Sequence, residues 1–305
     1  MKITTRSLIA IGVIAGFFSP QGHTGVPNVA VDILPVASLV SQVMGDLGQP
    51  RLIVPAGVSP HDYAMRPSEA RTLQNADIVF WVGRDLTVGL ARSIKALATN
   101  AVSVSLIDVP GITLLPFRHG ATFEAHDDEA HDHNGGTDPH VWLDPENAQV
   151  WLEVIAAELA KLDPDNASLY LHRARVGRNA LKELTRHLSA QLAPIRGRPF
   201  VVFHDAYQYF EHRFDIRAVG SIVLSEASDP GPVRIAEIRD AVLKLEVNCV
   251  FAEPQFEPKL IATVIEGTDA RSGTLDPLGT SLQAGPDLYS QLLRNLVRDL
   301  EDCLE

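Results

Sequence analysis

Sulfur is scarce in this chain: 305 residues contain 2 cysteines, Cys249 and Cys303, and 3 methionines. So few thiolates and thioethers argue against a soft, sulfur-rich site of the kind that selects Cu(I). Neither cysteine stands in a C-x-x-C or Cys/His spacing, which speaks against a zinc site built on thiolates. An H-E-x-x-H helix, the signature of many zinc hydrolases, is also missing. Long apolar runs are absent too. The run from Leu8 to Phe18 is well short of the ~20 residues that span a bilayer, and no later segment is apolar for long enough. Cations are outnumbered, with 26 Lys and Arg against 38 Asp and Glu and a formal charge of −12. An acidic chain repels nucleic acid and anionic membrane and favours cations and basic partners, so neither nucleic-acid binding nor direct membrane insertion is expected.

The short apolar run has a clear meaning in its setting. Lys2 and Arg6 precede it, and small and polar residues follow from Ser19, which is the layout of a secretory signal peptide over about residues 1–25. No cysteine follows the run, so a lipid anchor is not expected. Loss of Lys2 and Arg6, with no acidic residue nearby, takes the mature chain to −14. In an oxidising compartment an even pair of cysteines suggests one disulfide, although two unpaired buried thiols satisfy the same count.

The remaining length suits two α/β lobes. Apolar runs alternate with amphipathic stretches in the βαβα rhythm of a parallel sheet. Strands are expected at Asn28–Leu34, Arg51–Val54, Asp77–Val82 and Val102–Ile107, with helices between them. The pattern predicts a first lobe over 26–163, a linker helix over 164–194 and a second lobe over 195–305. The linker carries leucines at Leu181, Leu184, Leu188 and Leu192, with Gly177 as the one place where it would break in two. In the second lobe Pro199–Phe203 reads as a strand ending on His204, with a helix over Asp205–Phe214. The fold class is therefore α/β, two similar lobes with parallel sheets joined by a long helix.

The segment 119–137 has no apolar periodicity and is dominated by His, Asp, Glu and Gly, so it reads as a loop. Its histidines, His119, His126, His131 and His133, form a candidate auxiliary low-affinity metal loop; a solvated acidic linker is the plainer alternative. His172, His187 and His212 fall inside helical patterns, where exposure or capping is the usual explanation. His61, His140 and His204 differ, because each lies at a strand end or in an adjoining loop, beside an Asp or Pro. Open α/β sheets place ligands at such positions. Three imidazoles with Asp276 or water in a fourth position suit tetrahedral Zn²⁺. An Mn²⁺ site would be expected to carry more carboxylate. Asp62, Asp144 and Asp205 are candidates to hold the second ring nitrogens. Because imidazole must be neutral to ligate, affinity is expected to fall as the pH drops through about 6 to 7.

Ser59-Pro60-His61-Asp62-Tyr63, Asp138-Pro139-His140-Val141-Trp142-Leu143-Asp144-Pro145, Phe203-His204-Asp205-Ala206-Tyr207, Phe251-Ala252-Glu253-Pro254-Gln255-Phe256 and Gly273-Thr274-Leu275-Asp276-Pro277-Leu278-Gly279 resemble the signature stretches of the metal-binding solute-binding proteins of ABC importers, most closely the zinc-uptake type. The resemblance implies a rigid backbone helix between the lobes and a metal site in the cleft. It implies a periplasmic protein, a monomer, that hands Zn²⁺ to a membrane permease driven by a cytoplasmic ATPase. Carried over residue by residue, the three histidine ligands fall on His61, His140 and His204; manganese-binding relatives carry a carboxylate where His204 stands. The glutamate that often precedes the first histidine is replaced by Pro60. Cys249 and Cys303 match the disulfide positions of the zinc-uptake type. Alternatives are a carrier for Mn²⁺ or another divalent metal, a secreted zinc hydrolase, since three His plus water is also a catalytic shell, and a surface adhesin of similar fold.

Overall fold

Four short segments of the first lobe pair as parallel strands, β1 (Val29–Val31), β2 (Arg51–Leu52), β3 (Ile78–Trp81) and β4 (Val102–Ser105), in the order β2-β1-β3-β4. The second lobe repeats the arrangement with β5 (Phe200–His204), β6 (Ala218–Val223), β7 (Cys249–Ala252) and β8 (Arg271–Thr274), in the order β6-β5-β7-β8. The computed structural model describes residues 25–118, 120, 122–123, 136–223, 231–256 and 259–305. Parallel pairing requires a crossover between strands, and helices supply it. In the first lobe these are α1 (Leu34–Met44), α2 (Pro67–Gln74) and α3 (Leu90–Leu97); α4 (Pro145–Leu162) follows the last strand. The second lobe uses α6 (Gln208–Phe214), α7 (Pro232–Lys244), α8 (Lys259–Ile265) and the terminal α9 (Leu288–Leu304).

Strand alternation decides which residues face which layer. Val29 and Val31 of β1, Ile78 and Phe80 of β3, and Phe200 and Val202 of β5 join one hydrophobic core that runs through both lobes. The alternate residues face outwards onto helices. Ala30, Val79 and Trp81 pack with Leu73, Leu90 and Ile94 in the first lobe, and Val201 and Phe203 with Ile238, Val242 and Ile261 in the second. His204 shares the parity of Phe200 and Val202, so the same rule turns it inwards.

Between the lobes runs α5 (Ala167–Leu192), 26 residues and so about 39 Å long. Its buried stripe is Tyr170, Ala174, Leu181, Leu184, Leu188 and Leu192. The helix is continuous through Gly177. A Cβ there would stand 2.9 Å from Gln42 Oε1 and 3.0 Å from Leu152 Cδ1, so the glycine lets α5 approach α1 and α4 closely. Ahead of it, α4 starts on Asp144, whose carboxylate accepts from the Glu146 N–H at 2.8 Å, with Pro145 in the first turn.

All four expected strands of the first lobe and the helix expected from Asp205 are shorter than the hydrophobic pattern suggests, and for two of these elements the hydrogen bonds show why. β1 ends at Val31, since the Asp32 carboxylate accepts from the Ile33 and Val82 N–H groups at 2.8 and 2.7 Å and closes the strand end. The helix expected from Asp205 begins only at Gln208, because the Ala206 N–H donates to the His204 carbonyl in a turn. Cys249 on β7 and Cys303 on α9 form a disulfide with Cα atoms 6.0 Å apart, so the alternative of two separate thiols does not hold. Among the described residues no helix is long and apolar enough to cross a membrane. The expected leader, residue 25 apart, lies outside the described residues, as do His119, His126, His131 and His133.

Candidate metal centre

Three segments far apart in sequence meet between the lobes. His204 is the last residue of β5, a central strand. His140 stands just before a single 3-10 turn, Val141–Leu143, that leads into α4. His61 lies in the loop after β2, where its N–H donates to Ser59 Oγ at 3.2 Å and the Tyr63 hydroxyl closes the loop on the Ile53 carbonyl at 2.9 Å. His140 and His204 are buried, 4% and 2% exposed, and His61 is half-buried.

The rings converge through one atom each. His61 Nε2 lies 3.2 Å from His140 Nε2, and His204 Nε2 lies 3.3 Å from it. One ligand atom from each of the three lies within 4.8 Å of the others. Ligands at ~2.0–2.1 Å from a tetrahedral zinc ion stand about 3.3–3.4 Å apart, so two of these separations are already those of a coordination shell.

The opposite ring nitrogens explain why the Nε2 atoms face each other. His140 Nδ1 is 2.7 Å from Asp138 Oδ1, and His204 Nδ1 is 2.6 Å from Glu253 Oε1. An ionised carboxylate only accepts, so each Nδ1 carries the proton and each Nε2 presents a lone pair. Two lone pairs at 3.3 Å are not a hydrogen bond; they are an arrangement that a cation between them would stabilise. Asp138 Oδ1 also accepts from the His140 backbone N–H at 2.9 Å, fixing the turn that aims the ring. Glu253 follows β7 directly and reaches across to the end of β5, at the switch point of the second sheet.

The surroundings set the charge. Burial, reinforced by the neighbouring His204, holds the His140 pKa well below its ordinary 6.5; burial and then His140 and His204 do the same to His61. Both shifts favour the neutral imidazole, the form that can ligate a metal. Burial instead raises the Asp138 pKa to about 7, against the backbone bond and the Arg118 charge, which lower it.

The aspartates closest in sequence to the histidines play other parts. Asp62 is exposed. Asp144 caps α4 and pairs with Arg213 of α6 through two 2.8 Å bonds. Asp205, on the opposite parity to His204, is gripped by Arg118. Asp138 and Glu253 hold the ring nitrogens instead. The signals for them were an acidic residue two before the histidine in Asp138-Pro139-His140, and a lone acid closing the apolar strand in Phe251-Ala252-Glu253. Among the described residues the convergent group consists of the three histidines and does not include Asp276. The Asp276 carboxylate is turned onto its own loop: Oδ1 accepts from the Leu278 and Gly279 N–H groups at 3.0 and 2.9 Å, and Oδ2 from the Thr280 N–H and hydroxyl at 2.6 and 2.8 Å. His172, His187 and His212 are all exposed.

Two parallel-sheet lobes with imidazoles converging between them define a two-lobed α/β binding protein with a candidate metal centre. The chain belongs to the ZnuA family, zinc-uptake complex component A periplasmic, which it matches over residues 29–303. It is 42% identical to the high-affinity zinc uptake system protein ZnuA of Brucella abortus (strain 2308) over 332 aligned positions, covering 100% of this chain and 99% of that protein. With the protein of the same name from Paracoccus denitrificans (strain Pd 1222) it shares 39% identity, over 98% of each chain. Among solved structures, the crystal structure of ZnuA is similar at a TM-score of 0.78 and 26% identity, covering 92% of this chain and 100% of that one. The laminin-binding protein Lmb of Streptococcus agalactiae, described as bifunctional with adhesin and metal transporting activity, is similar at a TM-score of 0.76 and 25% identity, with the same coverage.

Proposed function

We propose that this protein captures one Zn²⁺ between its lobes and delivers it to the permease of an ABC importer driven by a cytoplasmic ATPase, acting as a monomer in the periplasm. His61, His140 and His204 are the ligands, each through Nε2. A water molecule is the favoured fourth ligand, because the Asp276 oxygens already accept four hydrogen bonds from their own loop; Asp276 remains the other candidate. The observation that carries the reading is the pair of Nε2 separations at 3.2 and 3.3 Å, with lone pairs set by carboxylates on the far side of two rings. Three imidazoles without a carboxylate in the convergent group favour Zn²⁺ over Mn²⁺. The names of the relatives, zinc uptake proteins of the periplasmic family, support the cargo, the compartment and the transporter partners. The role is binding rather than catalysis.

The test combines a metal-loaded crystal, with anomalous scattering measured at the zinc edge, and binding by His61→Ala, His140→Ala and His204→Ala. One anomalous peak within ligand distance of the three Nε2 atoms is expected, and each substitution should weaken zinc binding at least about tenfold. Wild-type affinity in all three variants would sink the assignment.

A further inference from the structure

Asp138 and Glu253 are buried against the ring nitrogens of His140 and His204, Asp205 is buried beside His204, and one arginine joins Asp205 to a further buried acid, Glu211 of α6. Arg118 presents a double fork. Its Nε lies 3.1 and 3.0 Å from the two oxygens of Asp205, and Nη2 bonds Asp205 Oδ1 as well. Towards Glu211, Nη1 and Nη2 donate at 2.8 and 2.9 Å. The face of the guanidinium covers the Phe123 ring at 3.8 Å. Only 15% of the side chain is exposed, against 6% for Asp205 and 4% for Glu211.

The two ends of this contact belong to different ligands. Asp205 is the residue after His204 and lies in the turn that ends β5, where the Ala206 N–H donates to the His204 carbonyl at 2.9 Å. Arg118 itself rides on a ribbon that leaves the first lobe after β4, and the same ribbon holds Asp138. The Asp138 N–H donates to the Leu115 carbonyl at 2.9 Å, and Phe117 pairs with Gly136 at 3.2 Å. The Tyr209 hydroxyl accepts from the Leu115 N–H and donates to the Asp138 carbonyl at 2.9 and 2.8 Å. Beyond Arg118 the ribbon is stitched to the second sheet by the Phe123 N–H on the Val219 carbonyl at 2.8 Å. The guanidinium thus joins the support of His140 to the support of His204.

We propose that Arg118 is a positioning residue of the metal centre: its side-on grip on Asp205 sets the distance between the His140 and His204 Nε2 atoms before a metal ion arrives. The inference rests on the proposed zinc site. It needs an arginine, because a planar fork fixes the direction of a carboxylate where an ammonium supplies a point charge. Lysine at the same place keeps the charge and loses the angle.

The experiment compares wild type, Arg118→Lys and Glu211→Gln by zinc competition titration and by the d–d absorption of bound Co²⁺. Arg118→Lys should raise the zinc Kd roughly tenfold, the lower end of the range for groups that orient metal ligands, and should shift the cobalt bands. Glu211→Gln keeps the Asp205 fork, so its Kd should stay within about twofold of wild type even where its thermal stability falls. Asp205→Asn breaks the same fork from the other side and should reproduce the Arg118→Lys effect, which serves if the lysine variant folds poorly. Wild-type binding together with an unaltered Kd and cobalt spectrum in Arg118→Lys overturns the proposal alone, as does an equal loss in Glu211→Gln. Wild-type protein that binds neither metal overturns the functional reading and this proposal with it.

Discussion

Asp138→Asn separates the electrostatics of the centre from its shape. In the wild type Oδ1 of a 1% exposed carboxylate accepts from both the backbone N–H and Nδ1 of His140, at 2.9 and 2.7 Å. The amide has two ways to sit there. With its oxygen towards His140 both bonds survive, but the charge that favours a cation is gone. With its NH₂ towards His140, the backbone N–H faces a donor, and Nδ1 has to become the acceptor. The ring proton then moves to Nε2, the atom that should coordinate. Either outcome weakens zinc binding, by roughly 10–100-fold on the scale for residues that orient metal ligands, or about 1.4–2.7 kcal/mol. The pH dependence sharpens the test. Burial raises the Asp138 pKa to about 7, so below that pH the metal-free wild type holds a proton that competes with the cation, and affinity falls as the pH drops through 7. Asparagine has no such proton. Competition against a chromogenic chelator at pH 6, 7 and 8 should therefore show the variant weakest relative to wild type at pH 8, with a flatter profile of its own. A variant within twofold of wild type at pH 8, or one with the same slope through pH 7, would refute the assignment of that titration to Asp138.

The remaining predictions use other handles. Below about pH 6.5 the unfolded chain protonates His61 and His140, while the folded chain refuses those protons, so their contribution to stability is full above pH 6.5 and lost progressively below it. Urea midpoints of the metal-free protein at pH 7.5 and 5 should accordingly fall less in His61→Gln than in wild type, and an equal fall would count against a depressed His61 pKa. Breaking the Cys249–Cys303 disulfide, which closes a separation of 54 residues, should cost about 4 kcal/mol by loop entropy. That loss should appear in chemical denaturation with and without reductant while zinc affinity stays unchanged; an equal loss of affinity would tie the bond to the centre. Deleting 124–134 should leave one tight zinc equivalent and lower the metal bound at high concentration, measured by equilibrium dialysis, whereas unchanged stoichiometry favours a plain acidic linker.

The fold was legible because its elements obey local rules. Buried apolar runs in Val29–Val31 and Cys249–Ala252, and the leucine spacing of α5, carry their periods openly. Element starts were harder. Asp32 and Ala206 end or delay an element through hydrogen bonds to residues on other segments or across a turn, which no periodicity reports. His204 and His61 were legible because one ends a strand and the other lies in the loop after one, whereas His140 stands before the 3-10 turn that leads into α4. Their carboxylate partners were not, since proximity in sequence is a poor guide when a strand turns successive side chains to opposite faces. His204 and Asp205 differ by one residue and point to different tasks, while Glu253 reaches His204 from 49 residues away. Arg118 carried no signal at all: it stands beside a polar segment, and its partners, Asp205 and Glu211, lie 87 and 93 residues further on.

The three histidines are also held unequally, and the reason lies in the layers beneath them. His204 ends a strand flanked by β6 and β7, and His140 sits on a turn laced to Leu115, Tyr209 and its own Asp138. Trp142, two residues beyond His140, donates to the Pro277 carbonyl at 2.8 Å and its own carbonyl accepts from the Tyr289 hydroxyl at 2.6 Å, so the turn is tied to the second lobe as well as the first. His61 follows a strand of two residues at the sheet edge and remains half-buried. One hydrophobic core runs beneath both lobes, from Val29 to Leu304, and opening the lobes would expose that shared surface to water. Displacing the His61 loop exposes far less. Of the three convergent imidazoles, the buried pair with its carboxylates is thus the more firmly held, and His61, half-buried on its loop, is the less constrained.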